Sequence, residues 1–523
     1  MCVNGCACGT FDFGMRALPA VDIEKLPRDV DALLGVIADL HSQYSTILDS
    51  LQLSLAKLRR MHFGASSERL AAQGELFSDT VSVPLAADEL QSISYQRPKS
   101  KGRPRLPADL PRTRIEYDLT DEEKSQFERL TQIGEEVSET LEFTPAKLTV
   151  IEHARAKYRC ENDGESTIRV AAAEPSPIAK SNASAGLLAQ VLVSKYADGL
   201  PLNRQERIFR RHGVELSRAT LCDWIMGSTE LLSLLRDLLK EHVLAAPVIF
   251  SDDTALDLIL GGRGQARTAR MWAYVSAGHT QDAQDCWHDY PRAACFEFTE
   301  TRAALHPTRF LADYSGYLQA DDYAGYHATF RSGRVIHVAC WAHSRRRFHD
   351  IVKTQSTPGL AQEALRFIAK LYEIEGRGRD LSPDKRLKMR QAETVPLLSA
   401  LKRWLEEHYP QLLPKGPLAQ AFGYVLSNWQ ALHRFTENGS LAPDTNLVER
   451  TLRPIAIGRK AWLFAGSMRG GHAAAIAFSL IETCKLNRVE PFAYLKDVLG
   501  RINAHRVDRL HELLPFNWKP AHA

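Results

Sequence analysis

The chain has 523 residues, too many for one ordinary core, and its 44% hydrophobic and 25% charged residues are typical of a multidomain globular protein. No apolar run approaches the roughly 18 residues of a membrane span, and the first residues do not resemble a secretion signal, so we expect a cytoplasmic protein without a membrane partner. The net charge is only +3, but the basic residues are clustered, which favours a polyanionic partner. The nine cysteines are scattered along the chain, which favours a reducing compartment.

The N-terminal region contains a tail and then a heptad pattern. Residues 1–22 predict a disordered tail whose cysteines could share a metal but lack a second ligand cluster. Those cysteines are Cys2, Cys6 and Cys8. Apolar residues then recur every seven positions between Val30 and Leu58, so residues 23–70 predict a coiled-coil helix and a chain that self-associates. An amphipathic helix packed on its own domain is the alternative.

A basic linker follows the heptads. Residues 71–114 are rich in Pro, Ser and charge, which predicts a segment without a core of its own. Inside it, the run from Arg97 to Arg105 has a Gly-Arg-Pro centre that is slim enough for a narrow minor groove and resembles an AT-hook. Arg103 and Arg105 are its candidate DNA-binding residues, and a solvated basic linker is the alternative.

Two small regions precede the main domain. Residues 115–175 contain strand-like pieces and predict a small mixed module. Residues 176–244 contain a helix that ends at Arg211, a turn at 212–213 and a second, short helix that Ser217 would cap. Helix, Gly-containing turn and helix is typical of a DNA-binding helix-turn-helix, but also of two packed helices in any bundle. Exposed arginines would favour DNA binding, and the candidates are Arg204, Arg207, Arg210, Arg211 and Arg218.

From residue 245 the pattern alternates strands and helices, which predicts an α/β domain over 245–480. The predicted strands are 247–250, its hairpin partner 255–260, then 271–275, 316–320 and 335–339. Residues 359–435 are almost wholly helical and predict an insertion at about 355–440. Residues 481–523 predict a helical tail.

Acidic residues of this domain are candidates for divalent metal. Phosphodiester cleavage can use two cations about 4 Å apart, which hard oxygen ligands hold. Asp252 follows the first predicted strand and Asp321 the fourth, while Glu449 lies on a helix that Asp444 would cap, with Asn446 on the same face. Cations follow Glu449 and suit a metal site facing a DNA backbone; they are Arg450, Arg453, Arg459 and Lys460. Spacing alone does not select this triple from 63 acidic residues.

Longer motifs surround these residues. The runs 446–454 (NLVERTLRP) and 458–467 (GRKAWLFAGS) closely resemble the sequence around the catalytic glutamate of insertion sequence 66 family transposases. Other segments that resemble this family are 60–68, 194–198, 251–254, 318–326, 340–346 and 513–518. The resemblance therefore spans nearly the whole chain.

The resemblance implies an RNase H-like core of the acidic-triad (DDE) class, with Asp252, Asp321 and Glu449 as the catalytic, metal-binding residues. It implies Mg²⁺ as cofactor, for which Mn²⁺ would substitute. The expected enzyme is a DNA transposase that assembles at the terminal inverted repeats of a bacterial insertion sequence, frees a 3′-hydroxyl and joins it to target DNA. Expected partners are DNA, at least one further copy of the chain and other proteins of the same element, at the nucleoid.

The chain departs from the family pattern at two places. The family usually carries a four-cysteine zinc module, but here no cysteine of the module precedes Gly134, and Asp163 stands where the ligand after Cys160 is expected. We therefore expect a degenerate module without zinc. Asp253 and Asp322 stand where Glu and Gly are expected, and the second of these adds a charge beside Asp321.

A short motif before the insertion adds candidates for DNA contact. Cys340 and His343 would give a metal only two ligands, so a packed cysteine beside a substrate-facing His343 fits better. Arg345, Arg346 and Arg347 suit phosphate contact, with a solvated helix face as the alternative. The predicted DNA-contacting set at the core is His343, Arg345, Arg346, Asn446, Arg450, Arg453, Arg459 and Lys460.

Two other functions stay open at this point. One is a DNA-binding regulator of the element with an inactive core, against which the intact acidic triad argues. The other is an RNase H-like nuclease that cuts DNA without joining it.

Overall fold

A computed structural model gives the architecture of the part of the chain that follows the linker. The residues that it describes are Asp29, Ala32, Leu148, the backbone of 157–162 and 165–170, and residues 176–178, 181–259, 266–282, 286–354 and 359–520. The predicted cysteine tail, coiled coil and basic linker, with Arg103 and Arg105, lie outside these residues, apart from Asp29 and Ala32. The chain divides into two units, and the smaller one contains 82–175 and 206–217.

The described strands of the smaller unit form one antiparallel hairpin. Strand β1 (Lys157–Asn162) pairs with β2 (Glu165–Val170) over their full lengths. The unit also contains the predicted turn, where Gly213 adopts a φ of 78°. Glycine takes this left-handed conformation without the steric strain that a Cβ would bring, so the predicted glycine turn is confirmed.

Helices make up most of the described chain. In chain order they are α1 Ala185–Tyr196, α2 Leu202–Arg211, α3 Arg218–Leu244, α4 Leu305–Phe310, α5 His327–Arg331, α6 Trp341–Val352, α7 Leu360–Arg377, α8 Pro383–Met389, α9 Val395–His408, α10 Pro417–Ser427, α11 Trp429–His433, α12 Asn446–Trp462, α13 Met468–Leu486 and α14 Pro491–Arg501. The second helix of the predicted helix-turn-helix is therefore not short, since α3 continues to Leu244. Within the described ranges, none of the helices has the length and apolarity to cross a membrane.

A mixed sheet organises the larger unit. Its remaining strands are β3 Val248–Ile259, β4 Ala266–Ala277, β5 His279–Gln281, β6 Trp287–Asp289, β7 Ala294–Thr299, β8 Gly316–Gln319, β9 Val335–Val338 and β10 Phe464–Ala465. The central order is β7-β4-β3-β8-β9, with β10 pairing the far half of β3. Strands β3, β4 and β7 are antiparallel neighbours, whereas β8 and β9 run parallel to β3. This mixed five-strand path is consistent with the RNase H-like core that the resemblance implies.

The prediction of a hairpin at 247–260 was wrong. Residues 247–250 and 255–260 belong to the two ends of the single 12-residue strand β3, which pairs with β4 from Val248 opposite Ala277 to Ile259 opposite Ala266. The polar run 251–254 has the composition of a turn, but its three last residues are half-buried within the strand. Asp252 consequently lies in mid-strand and not at a strand end.

Helix α13 protects the outer edge of the sheet. The hydroxyl of Ser479 accepts a hydrogen bond from the N–H of Phe296 at 2.9 Å, and that of Thr483 accepts one from Ala294 at 3.0 Å. An unpaired edge strand is a template for association with other strands, so these side chains close off β7.

Residues 360–433 are mostly helical, as predicted, and a buried arginine ties this stretch to the segment that leads into α12. Arg390, only 1% exposed, donates to both carboxylate oxygens of Glu375 at 2.9 and 2.6 Å. It also donates to the carbonyls of Phe435, Asn438 and Leu441 at 2.8, 3.1 and 2.9 Å. These bonds satisfy the guanidinium, so its charge can be buried, and they fix the segment that leads from the insertion into α12.

Candidate active site

The register of two parallel strands places the first two predicted carboxylates together. The last paired residues of β3 and β8 are Phe250 and Gln319, and the two strands diverge beyond them. Asp252 and Asp321 each stand two residues past this pair, at the same level of the sheet. The notch between the strands therefore has one carboxylate on each side.

Glu449 reaches the same place from the first turn of α12. A side-chain clamp sets this position, because the amide of Gln319 donates to the carbonyl of Ala442 at 2.8 Å and accepts from its N–H at 2.9 Å. Farther along α12, Arg459 donates to Thr254 Oγ1 at 3.0 Å and fastens the helix to β3. The three predicted carboxylates thus lie close enough for Asp321 and Glu449 to act on the charge of Asp252, although their oxygens do not form a group within 4.8 Å of one another.

The start of α12 differs slightly from the prediction. The capping position is Thr445, while the carboxylate of Asp444 accepts from the N–H of Asn446 at 3.1 Å and from its side-chain amide at 2.8 Å. Asp444 therefore stabilises the helix start as expected, but from one residue earlier. The side-chain amide of Asn446 donates to Asp444, and this hydrogen bond holds Asn446 beside the helix start.

Helix α6 adds two further side chains to the notch. His343 Nε2 lies 3.7 Å from Glu449 Oε1, and Arg346 Nη2 lies 3.7 Å from Glu449 Oε2. Both separations exceed hydrogen-bonding distance. The predicted DNA contact His343 is therefore a neighbour of the acidic cluster itself.

Burial dominates the electrostatics of the notch, and nearby charges add to it. Burial, together with the nearby charges of Asp321 and Glu449, raises the pKa of Asp252 to about 8, although the N–H of Asp253 donates to it at 2.7 Å. Burial also raises the pKa of Asp321, against the opposing effects of His343 and Arg302. Burial lowers the pKa of His343, which keeps the imidazole neutral to lower pH. A protein without bound cations must hold a proton on part of this cluster near neutral pH.

Asp253 has a different environment from its neighbour. Its side chain is 2% exposed and forms ion pairs with Arg270 at 3.1 Å and Arg302 at 2.8 Å. Alternation along a strand sends the side chains of Asp252 and Asp253 to opposite faces of the sheet. Asp253 is thus a neutralised structural carboxylate, and Asp252 is the one that joins Asp321.

Arg302 is a site residue that no sequence motif indicated. It lies in the loop after β7, 4.0 Å from Asp321 Oδ2, and its guanidinium stacks 4.1 Å from the ring centroid of Tyr323. The hydroxyl of Tyr323 in turn donates to the carbonyl of Arg302. Tyr326, by contrast, is fully buried and bonds Ser251 at 2.8 Å, so this second aromatic packs the domain.

Asp322 takes no part in the acidic cluster. Its carboxylate accepts from the amide of Asn428 at 3.0 Å and lies 3.5 Å from His327 Nε2. The residue therefore ties the end of β8 to the helical insertion. It also lines the cavity that opens beside the notch, together with Asp321 and His343.

Cys340 packs and does not offer its sulfur to a metal. Cys340, His343 and Glu449 form the one group of potential metal ligands found among the described residues, with ligand atoms within 4.8 Å of one another. However, Sγ of Cys340 accepts from the N–H and the hydroxyl of Thr445 at 3.3 and 3.2 Å. Burial raises the pKa of the thiol to about 12, so the thiolate that a metal would need is strongly disfavoured.

A cavity of about 310 Å³ opens beside the notch. Asp321, His343 and Arg346 line it towards the sheet, and Tyr424 lines it from the insertion, with the guanidinium of Arg347 4.0 Å above the tyrosine ring. Its walls combine carboxylates with guanidinium groups, which suits a phosphodiester approached by cations.

The other predicted DNA contacts are spread over several surfaces. Arg450 and Lys460 are exposed on α12, Arg345 and Arg453 are half-buried, and Arg459 is engaged with β3. All five arginines of the predicted helix-turn-helix, namely Arg204, Arg207, Arg210, Arg211 and Arg218, are exposed.

Comparison with known protein families gives matches along most of the chain. A model described as "Transposase IS66 family" matches residues 180–473, and one described as "IS66 C-terminal element" matches 479–516. The family's leucine-zipper model, described as "Transposase C of IS166 homeodomain", matches 50–115, and one described as "zinc-finger binding domain of transposase IS66" matches 125–162.

Similar full-length proteins occur in Sinorhizobium fredii. The uncharacterized protein y4hP is 33% identical over 91% of this chain and 89% of its own length. The uncharacterized protein y4jD is 33% identical over 95% of this chain and 98% of its own length. The similarity is therefore end to end and not confined to one domain.

Proposed function

The chain belongs to the IS66 family of DDE transposases of insertion sequences and contains the family's leucine-zipper coiled coil, and from this premise we propose its detailed activity. It binds the terminal inverted repeats of a bacterial insertion sequence, cuts there and transfers the freed end to target DNA. The observation that supports this best is the convergence of Asp252, Asp321 and Glu449 at one notch of the sheet.

The residues of the notch fit a divalent cation. Three carboxylates supply hard oxygen ligands. Burial, with a further contribution from the charges of Asp321 and Glu449, raises the pKa of Asp252, and a bound cation would offset both effects. Glu449 Oε1 is buried without a hydrogen-bond partner among the described residues. A buried carboxylate oxygen left in this state is strongly disfavoured unless a cation completes its environment.

The protein's own residues position the reacting DNA. Divalent ions, when bound, would activate the attacking oxygen and stabilise the leaving oxygen of a phosphodiester. Asp252 and Asp321 would hold them from the sheet and Glu449 from α12. Arg302 and Arg346 flank the carboxylates on opposite sides and are placed to bind phosphate oxygens.

DNA recognition is assigned to surfaces outside the notch. Exposed arginines of α2 and α3 would contact the inverted repeat, and Arg103 and Arg105 would enter the minor groove. Mg²⁺ is the expected cofactor, with Mn²⁺ as a substitute. Proteins encoded by the same element remain proposed partners.

Self-association is a further part of the proposal. Paired element ends require at least two copies of the chain, and the heptads between Val30 and Leu58 supply a means of pairing them. Deleting residues 30–58 should give a monomer by light scattering. An oligomer of unchanged size would remove the coiled coil from this role.

The activity can be tested with purified protein and labelled element-end DNA in Mg²⁺ or Mn²⁺. The wild-type protein should give nicked and joined products, while Asp252→Asn, Asp321→Asn and Glu449→Gln should bind DNA normally and give neither. Asp313→Asn is the matched control and should keep both activities, because Asp313 is exposed in the loop ahead of β8. Binding without cleavage by the wild-type protein would favour the regulator, and cleavage without joining would favour the nuclease.

A further inference from the structure

His343 faces Glu449 across a gap that no hydrogen bond fills. Its Nε2 lies 3.7 Å from Glu449 Oε1, and that oxygen is buried without a partner among the residues that the structure describes. The other oxygen of Glu449 faces Arg346. The Nε2 nitrogen of His343 and one oxygen of Glu449 thus lie close together without a hydrogen bond between them.

We propose that His343 is a metal ligand, and that its Nε2 with Glu449 Oε1 forms a mixed imidazole–carboxylate position for a divalent transition metal such as Mn²⁺. This inference rests on the proposed function, because it takes Glu449 as part of the metal-binding set. It gives the notch two chemically different positions. The one between Asp252 and Asp321 has carboxylate ligands only, and the one at Glu449 includes nitrogen.

The separation of the two atoms suits a shared ion. Two ligand atoms about 2.1 to 2.2 Å from one ion, at bond angles of about 90° to 120°, lie roughly 3.0 to 3.8 Å apart. The observed 3.7 Å falls in this range, whereas it is too long for a hydrogen bond. Small adjustments of two side chains would let both atoms bind one ion, and water would fill its other positions.

Arg346 and Cys340, the other groups beside Glu449, are unsuited to bind a cation, so His343 is the candidate for the second metal ligand. Arg346 repels a cation and stands at the opposite carboxylate oxygen. Cys340 directs its sulfur to Thr445 and accepts two hydrogen bonds there. His343 is fixed by α6, whose first residue Trp341 is itself anchored by its N–H to the carbonyl of Pro443 at 2.9 Å, just ahead of α12.

The proposal predicts a particular metal preference. Imidazole is a good ligand for transition metals and a poor one for Mg²⁺, which prefers oxygen. The protein should therefore bind Mn²⁺ more tightly than Mg²⁺ by a margin that depends on His343. Replacing the histidine by glutamate should restore an all-oxygen position and shift the preference towards Mg²⁺.

Pulsed electron paramagnetic resonance of Mn²⁺ bound to the untagged full-length protein tests the proposal directly. The wild-type protein should show a directly coordinated ¹⁴N nucleus. His343→Gln should lose this coupling and bind Mn²⁺ about tenfold or more weakly by titration calorimetry. The same substitution at another histidine of α6, His349→Gln, should change neither.

The outcomes separate this inference from the proposed function. Bound Mn²⁺ without nitrogen coupling in the wild-type protein, or coupling that persists in His343→Gln, would overturn the role of His343 and leave the carboxylate site intact. Failure of the wild-type protein to bind Mn²⁺ at all would overturn both. In His343→Glu, a ratio of Mn²⁺ to Mg²⁺ affinity equal to that of the wild type would also count against the inference.

Discussion

Two adjacent aspartates, Asp252 and Asp253, have opposite electrostatic situations in this protein. Asp253 is neutralised by Arg270 and Arg302, while Asp252 faces Asp321 and Glu449. Their side chains lie on opposite faces of the sheet because the two residues are adjacent in one strand. A shift of register by one residue would therefore exchange their roles. Sequence motifs favoured Asp252, and the physical reason for the choice is the pairing of Asp253.

The charge of Asp252 should make the metal-free protein less stable as pH rises. Its pKa is raised from 3.8 to about 8 in the folded state, so between these values the folded chain holds a proton that the unfolded chain has released. Stability contributed by the protonated form is therefore lost as pH rises through this window. Asp252→Asn cannot ionise and should lose less stability than the wild type between pH 6.5 and 8, as measured by urea unfolding in a chelator.

Other groups titrate in the same range, but the comparison of wild type with Asp252→Asn cancels their contribution to a first approximation. Excess Mg²⁺ should abolish the difference in the wild type, because the ion stabilises the ionised carboxylates. Equal pH dependence in the two chelated proteins would show that Asp252 is not the group that retains the proton.

Asp253→Asn should lose stability but keep its metal binding, whereas Asp252→Asn should lose its metal binding. Removing this carboxylate leaves Arg270 and Arg302 without their shared partner, so the free energy of unfolding should fall by about 1–3 kcal/mol. Mn²⁺ affinity should change little, whereas Asp252→Asn should lose most of it. Unfolding in urea and calorimetric metal titration on the two variants provide the comparison. A larger loss of metal binding in Asp253→Asn than in Asp252→Asn would reverse the assignment.

At the scale of elements, periodicity located β8, β9, part of β4 and the helical stretch, but it missed β7 and divided β3 into two strands where tertiary contacts satisfy polar residues. The run from Ser251 to Thr254 has the composition of a turn, but it continues strand β3. There Asp253 forms ion pairs with two arginines, and Thr254 accepts a hydrogen bond from Arg459. These partners lie far along the chain, so no local pattern could indicate them. Motifs around Glu449 placed it on a helix, whereas the Gln319 clamp that positions this helix became visible only in the fold.

A buried ion pair of the insertion is bonded to the segment that leads into α12. Arg390 joins Glu375 to the segment preceding α12, and its loss would leave a carboxylate and three carbonyls without their donor. Breaking one partner of a buried pair typically lowers stability by about 3–5 kcal/mol, so we expect a loss of this size for Arg390→Met in thermal or urea unfolding.

Arg377→Met is the matched control, because Arg377 pairs with Glu393 on the exposed surface of the same insertion. Its stability should be nearly that of the wild type, since solvent screens exposed pairs. Similar losses in the two variants would mean that burial of Arg390 is not what matters. Cleavage should fall in Arg390→Met more than DNA binding does, because the segment it fixes leads to Glu449.

At the scale of the whole molecule, the family's modules are arranged in order along the chain, and the zinc-finger match has Cys160 and His153 as its cysteine and histidine residues. The segment matched by the zinc-finger model, 125–162, contains Cys160 and no other cysteine. A structural zinc site takes four ligands, usually cysteine and histidine. The match weakens the prediction that zinc is absent, because that prediction rests on the number of cysteines alone. A family fold can persist with other ligands or with none.

We nevertheless expect the full-length protein to carry no stoichiometric zinc. Cys160 lies on β1 of a hairpin whose partner strand β2 contains neither cysteine nor histidine, so the hairpin itself does not provide a second soft ligand. Metal analysis of protein purified without chelator should give well under one zinc per chain, and Cys160→Ser should not change its melting temperature. One zinc per chain that Cys160→Ser removes would place a ligand in this hairpin after all. One zinc that survives in Cys160→Ser but disappears when residues 1–22 are deleted would instead assign it to the N-terminal cysteines.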